Sequence, residues 1–183
     1  MRARAIRLRN RAASWRAARA RPAVTEQPPM TRYDRGLMWF RRDLRVQDNA
    51  ALHHALKHCR QVWCVFVFDT EILDPLPRAD RRVEFIHASV LELDAGLRAL
   101  GARHGREHTG LIVRHAAARE DIPRLARQLH VQAVFTNHDD EPAALARDAQ
   151  VLGALAHAGV MLHSHKDHVV FERREVLTQA GQP

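Results

Sequence analysis

Apolar positions along the chain fall into short runs separated by longer amphipathic stretches, a pattern that predicts strands alternating with helices. The runs Gly36–Phe40, Val62–Phe68, Leu111–Arg114, Ala133–Thr136 and Met161–His163 predict five strands, and Val169–Phe171 predicts a short extra one. Between them, Arg81 to Leu100 puts Ile86, Val90, Leu93, Leu97 and Leu100 on one stripe. Pro142 to Ala158 does the same with Leu145, Ala149, Leu152 and Ala156, with Pro142 in the first turn and Gly159 as the stop. Shorter helices fit Ala50–His58 and Ile122–His130. Such alternation predicts one α/β domain: a Rossmann-like, doubly wound parallel sheet of about five strands with right-handed crossovers. Asp69 to Asp80, with Pro75 and Pro77, is the longest loop and a candidate pocket lid.

The segment Gly36-Leu-Met-Trp-Phe-Arg-Arg-Asp-Leu-Arg-Val-Gln-Asp-Asn-Ala-Ala-Leu52 concentrates the chemistry. An apolar strand breaks into Arg41, Arg42, Asp43 and Arg45, and Asp48 and Asn49 then offer caps to an Ala/Leu helix. The ends of parallel strands are where open α/β sheets place ligands. The loop has no glycine, so it is neither a dinucleotide fingerprint nor a phosphate-cradling loop. Three guanidiniums around one carboxylate make a rigid, pre-paired cluster. Asp69 after the second strand and Asn137, Asp139 and Glu141 after the fourth project into the same predicted crevice. Taken singly, each of these residues also fits a structural role, the cluster as an ion network and Glu141 at a helix N-terminus.

The order WFRRDLR-x-x-DN-x-AL resembles the opening of the photolyase/cryptochrome family. Further likenesses follow in order: Val62–Asp69 with Ile72-Leu73, Asn137-His-Asp-Asp-Glu-Pro142 with Arg147-Asp148, then Lys166-Asp167 and Thr178…Gly181-Gln-Pro183. The resemblance spans Gly36 to Pro183 and is to the family's N-terminal α/β domain, most like that of a bacterial deoxyribodipyrimidine photolyase. It implies a light-harvesting antenna chromophore in the crevice of Arg41, Arg42, Asp43, Asp69, Asn137, Asp139 and Glu141. It also implies that FAD and the DNA lesion are held by a larger helical domain in intact members. There the antenna passes excitation to reduced FAD, which donates an electron to a flipped-out pyrimidine dimer. In folate-binding members a polar pair follows the segment's Glu; here those positions are Ala143 and Ala144, so a deazaflavin or second flavin is expected over folate, or an empty pocket. Asp140 replaces an aromatic residue common in the family.

Charge changes the picture only at the N-terminus. Residues 1–29 hold eight arginines and one acid, Glu26, a net of +7 out of the chain's +8, so the folded domain is near neutral. Residues 1–34 are expected to be a disordered Arg/Ala-rich tail ahead of a domain at 35–183. A mis-called start with Met30 as initiator, a basic arm and a targeting peptide all fit that tail. No segment is long enough to span a membrane, and a cytoplasmic location is expected. Cys59 and Cys64 lack redox or zinc spacing, and Cys64 reads as a buried inert thiol. His163-Ser-His165-Lys-Asp-His168 reads as a strand-end loop rather than a metal site. Trp39 and Trp63 read as core, and no nucleophilic triad stands out. Three functional readings follow: the antenna domain of a photolyase, truncated and inactive alone; a free-standing chromophore- or nucleotide-binding module, or one docking on a separately encoded helical domain; and a gene remnant. DNA contact is expected through the intact protein alone, and photolyase and cryptochrome are not separable from these residues.

Overall fold

A computed structural model of the chain describes residues 32–171 and Glu175. The expectations for residues 1–31 and for the Thr178–Pro183 motif lie outside the described residues. Five strands alternate with five helices: β1 (Tyr33–Phe40), α1 (Ala50–His58), β2 (Cys59–Asp69), α2 (Thr70–Leu73), α3 (Arg81–Arg103), β3 (Leu111–Ala116), α4 (Ala118–Gln128), β4 (Ala133–Asn137), α5 (Pro142–His157) and β5 (Met161–His165). All pairings are parallel, in the order β3-β2-β1-β4-β5. The doubly wound sheet predicted from the sequence is therefore what forms.

Period-two alternation divides the sheet's side chains between two cores. Leu37, Trp39, Val65, Val67 and Val134 meet Ile122, Leu125 and Ala126 of α4 and Val151 and Leu155 of α5 on one face. Met38, Phe40, Cys64, Phe66 and Phe135 meet Ala51, Leu52 and Ala55 of α1 and Val90, Leu93 and Leu97 of α3 on the other. Gly36 is needed where β1 runs tightest, because a Cβ there would stand 2.5 Å from the Cys59 sulfur. Both thiols are buried and unpaired, and burial pushes Cys59 up to about 11 and Cys64 up to about 12, which leaves them inert at neutral pH.

Several boundaries differ from expectation. β1 begins at Tyr33, three residues before Gly36, and β2 begins at Cys59, three before Val62. The anticipated lid loop contains the single turn α2, capped by the Asp69 carboxylate, which accepts from Glu71 N at 3.2 Å. Helix α4 starts four residues before Ile122 and runs through Pro123. Its first N–H, that of Ala118, is held by Asp69 Oδ1 at 3.3 Å, an anchor 49 residues away in sequence. Val169–Phe171 forms no strand: with Val170 and Phe171 exposed, the run lacks a ladder partner.

Candidate functional site at the strand ends

From β1 the chain winds outward to β2 and β3, then crosses back to β4 on the other side of β1 and on to β5. The winding direction reverses between β1 and β4, and the loops after these two strands diverge to opposite faces of the sheet. A crevice opens at such a reversal, outside the carboxyl ends of the strands.

The half of the crevice nearest α1 is closed by hydrogen bonds. Asp43 is 3% exposed. Its Oδ1 accepts from Arg41 N at 2.9 Å, and its Oδ2 accepts from the side-chain amides of Asn49 (2.9 Å) and Asn137 (2.6 Å). Asn137 donates also to Asn49 Oδ1 at 3.1 Å and accepts from Ala51 N at 2.9 Å. Asn49 caps α1 through Leu52 N at 3.0 Å, and Asp167 accepts from Ala50 N at 3.0 Å while pairing with Arg45 at 2.8 Å. Three side chains thus take up the first amides of α1, as helix termini require.

Arg41 turns the other way. Its guanidinium grips both Asp148 oxygens at 2.7–2.8 Å, donates to the Asn137 carbonyl, and lies 5.1 Å from the Trp39 ring. Arg42 bridges the two diverging loops, 3.2 Å from Asp139 and 2.5 Å from Glu141. The Glu141 carboxylate, helped by Asp139, holds this guanidinium above its ordinary range. Glu141 occupies the N-cap position of α5 without capping it through its side chain. Six of the seven predicted site residues therefore meet across the β1–β4 gap; Asp69 does not touch them.

Asp69 faces a residue that the sequence reading quoted in a motif but did not select. Arg147 of α5 approaches Asp69 Oδ2 at 3.7 Å, sits 3.6 Å from Asp148, and lies 5.3 Å from Trp39. Asp69 Oδ2 and Arg147 Nε are both buried and both without a hydrogen bond. Asp69 Oδ2 is ion-paired with Arg147 and Arg147 Nε lies 3.6 Å from Asp148, yet neither atom has a hydrogen bond. That leaves one acceptor and one donor at this end of the crevice, while Arg41 and Arg147 both lie against the buried Trp39 ring. The signal in the sequence was the Arg147-Asp148 pair one helical turn past Pro142, which turns one charge toward Asp69 and the other toward Arg41. Among the described residues no group of three or more His, Cys, Asp or Glu is arranged to hold a metal. A half-open groove of about 730 Å³ lies elsewhere, between α1 and α3, and none of the seven predicted residues lines it.

A doubly wound α/β domain with a polar crevice at its switch point is a ligand-binding class, and the comparisons give its family. The DNA photolyase family model matches residues 36–183. The chain belongs to the DNA photolyase family. It is 33% identical over 147 residues to a deoxyribodipyrimidine photo-lyase of Synechococcus, covering 80% of this chain and 29% of that protein. It is 37% identical over 156 residues to one of Halobacterium salinarum, covering 80% and 31%. A Gallus gallus cryptochrome is 28% identical over 159 residues, covering 87% and 26%. A Sulfolobus tokodaii photolyase, solved with two FAD molecules, superimposes with a TM-score of 0.68 at 28% identity over 79% of this chain and 32% of that one. The chain thus spans about a third of the length of these relatives. Among the described residues no helix is long and apolar enough to cross a membrane.

Proposed function

We propose that this domain is the light-harvesting part of a DNA photolyase, binding a flavin-like or deazaflavin chromophore at its strand-end crevice. The observation that supports this most directly is the pair of buried atoms left without hydrogen bonds at the strand ends, Asp69 Oδ2 and Arg147 Nε, an acceptor and a donor of the kind the imide edge of a flavin ring uses, together with the second FAD named for the Sulfolobus relative. When bound, such a chromophore supplies absorption of light. The chain's own residues do the rest: Asp69 and Asp139 offer acceptors. Arg147 offers a donor, and Arg42 with Glu141 closes the rim. Ala143 and Ala144 bring no side-chain hydrogen bonds to α5, which disfavours a folate. Repair of pyrimidine dimers, FAD binding and DNA contact belong in this reading to the helical part of the intact protein. The setting is the cytoplasm, consistent with two unpaired thiols.

The test is reconstitution of the purified chain with deazaflavin, FMN and methenyltetrahydrofolate, followed by absorbance of the desalted protein. Retention of deazaflavin or FMN, weakened roughly five- to hundredfold by Asp139→Ala, is expected from the loss of one buried polar contact. Retention of folate alone overturns the assignment. A second measurement is light-dependent dimer reversal by the chain supplied with reduced FAD. No turnover above a flavin-only control is expected, and clear turnover contradicts the division of labour.

A further inference from the structure

Histidine is concentrated at one edge of the sheet, away from the crevice. His165 at the end of β5 lies flat against His54 of α1, with ring centroids 4.1 Å apart and planes 6° from parallel. His54 is in turn parallel to His58 at 5.9 Å and edge-on to His53 at 5.5 Å. Phe135 of β4 backs the group, 5.0 Å from His163 and 6.3 Å from His165. His163 shares a 2.9 Å hydrogen bond with the Tyr33 hydroxyl. His165 Nε2 is buried and has no hydrogen-bond partner.

This stack sits beside the clasp that holds α1. His165 is followed by Lys166 and Asp167; Asp167 accepts from Ala50 N and pairs with Arg45, and Lys166 pairs with Glu175. The His165 carbonyl accepts from His138 N at 2.7 Å, tying the same strand end to the loop after β4. The stacked ring and the clasp carboxylate therefore lie two residues apart on the same strand end, both against α1.

We propose that the histidine stack is an acid-sensitive latch: protonation of His54 and His165 separates the end of β5 from α1 and frees the first turn of α1 from Asp167, while the central strands stay paired.

Apart from the Tyr33 hydroxyl on His163, the groups that act on the rings are cations or other imidazoles. His54 is acted on by His53, His58 and Lys57 of its own helix, His163 by Arg32, His58 and His54, and His165 by His54, His163, His138 and His58. Every one of these is basic. Among charges close in sequence, Lys166 is cationic and Asp167 is already paired with Arg45. Burial, reinforced by these neighbours, lowers all three imidazoles, His165 to about 4. The folded values lie below the ordinary 6.5, so the latch holds fully above that value and is lost as pH falls through the window between 6.5 and about 4. From His165 alone, opening at pH 5 is favoured roughly twentyfold over pH 7.

Hydrogen exchange of the full chain at pH 7 and pH 5, corrected for intrinsic rates, tests this. The peptide carrying Ala50–Leu52 and that carrying β5 should exchange about twentyfold faster at pH 5, with β1 and β2 still protected. Replacing both rings, His54→Phe with His165→Phe, keeps flat aromatic contact and removes the protons, and should abolish the increment. An increment that survives the replacement, or simultaneous exposure of β1 and β2, overturns the latch. In case the double variant does not fold, imidazole C–H resonances of the wild type give a second readout. His54 and His165 titrating well below 6.5, with shift changes at Ala50 and Ala51 in step, support it; ordinary titration of both overturns it.

Discussion

The two halves of the strand-end crevice are built from the same residue types and end in opposite states. Around Asp43, two carboxylate oxygens meet three donors, and each amide of Asn49 and Asn137 has partners on both sides. Around Asp69, one oxygen accepts from two backbone amides, and the other is buried 3.7 Å from a guanidinium without hydrogen-bonding it. A closed network fixes geometry: it sets the path of the chain from β1 into α1 and ties that path to β4. An open one has lone pairs and N–H groups left for something else. The contrast separates scaffold from candidate binding surface more sharply than charge or proximity does. It also assigns Arg41, Asp43 and Asn137 a framework part even though they lie in the crevice.

The largest effect expected from this contrast is on the closed half. Asp43→Ala removes an acceptor from Arg41 N, Asn49 and Asn137, leaving buried donors unmatched. A loss of about 2–4 kcal/mol is expected, a fall in Tm of roughly 5–15 °C for a domain of this size. Thermal unfolding followed by circular dichroism measures it. A shift under about 2 °C would show that the network does not carry the path of the β1–α1 loop.

The open half should behave in reverse. Asp69→Asn keeps Oδ1 for Glu71 N and Ala118 N but replaces the unmatched oxygen with an amide. Stability should fall by about 1–2 kcal/mol, less than for Asp43→Ala: no hydrogen bond is removed, and Arg147 loses one buried charge partner but keeps Asp148 at 3.6 Å. Chromophore retention should fall roughly five- to hundredfold, because a ring N–H then meets a donor. Equal losses of stability in Asp43→Ala and Asp69→Asn would erase the distinction between the two halves.

What the sequence made legible divides along similar lines. The sheet, its order of elements and the α3 stripe followed from periodicity, but α5 turned a different face inward: of the expected stripe Leu145, Ala149, Leu152 and Ala156, Leu152 is 50% exposed, and Ala144, Val151 and Leu155 are buried instead. The starts of β2 and α4 were not legible. Cys59 to Gln61 extend the ladder through backbone pairing with Tyr33 and Arg35, which needs no apolar side chain. Ala118 begins a helix because a carboxylate 49 residues earlier receives its N–H. Val169–Phe171 failed in the opposite sense, since an apolar run becomes a strand only where a neighbour offers a ladder. In the crevice, residue identities were visible but their pairing was not: that Asp43 spends its charge internally while Asp69 does not depends on which loop lies opposite each. Arg147 was overlooked because a charged residue in the second turn of an amphipathic helix reads as solvent-facing until the partner strand is placed.

The smallest effect concerns the rim between the halves. Arg42 is more than half exposed, as is Glu141, so their ion pair is screened and removing it should barely move stability. Arg42→Ala is therefore expected to shift Tm by under 2 °C or so. Yet Arg42 spans two loops that leave the sheet on opposite faces, and it covers Asp139, whose side chain is only 10% exposed. Removing it uncovers that carboxylate without disturbing Asp43 or Asn137. If the rim limits entry, flavin association should speed up in Arg42→Ala while dissociation speeds up at least as much, and stopped-flow fluorescence resolves the two. Unchanged rates in both directions would mean that the ligand path avoids the β1–β4 gap and reaches Asp69 and Arg147 from the α4 side.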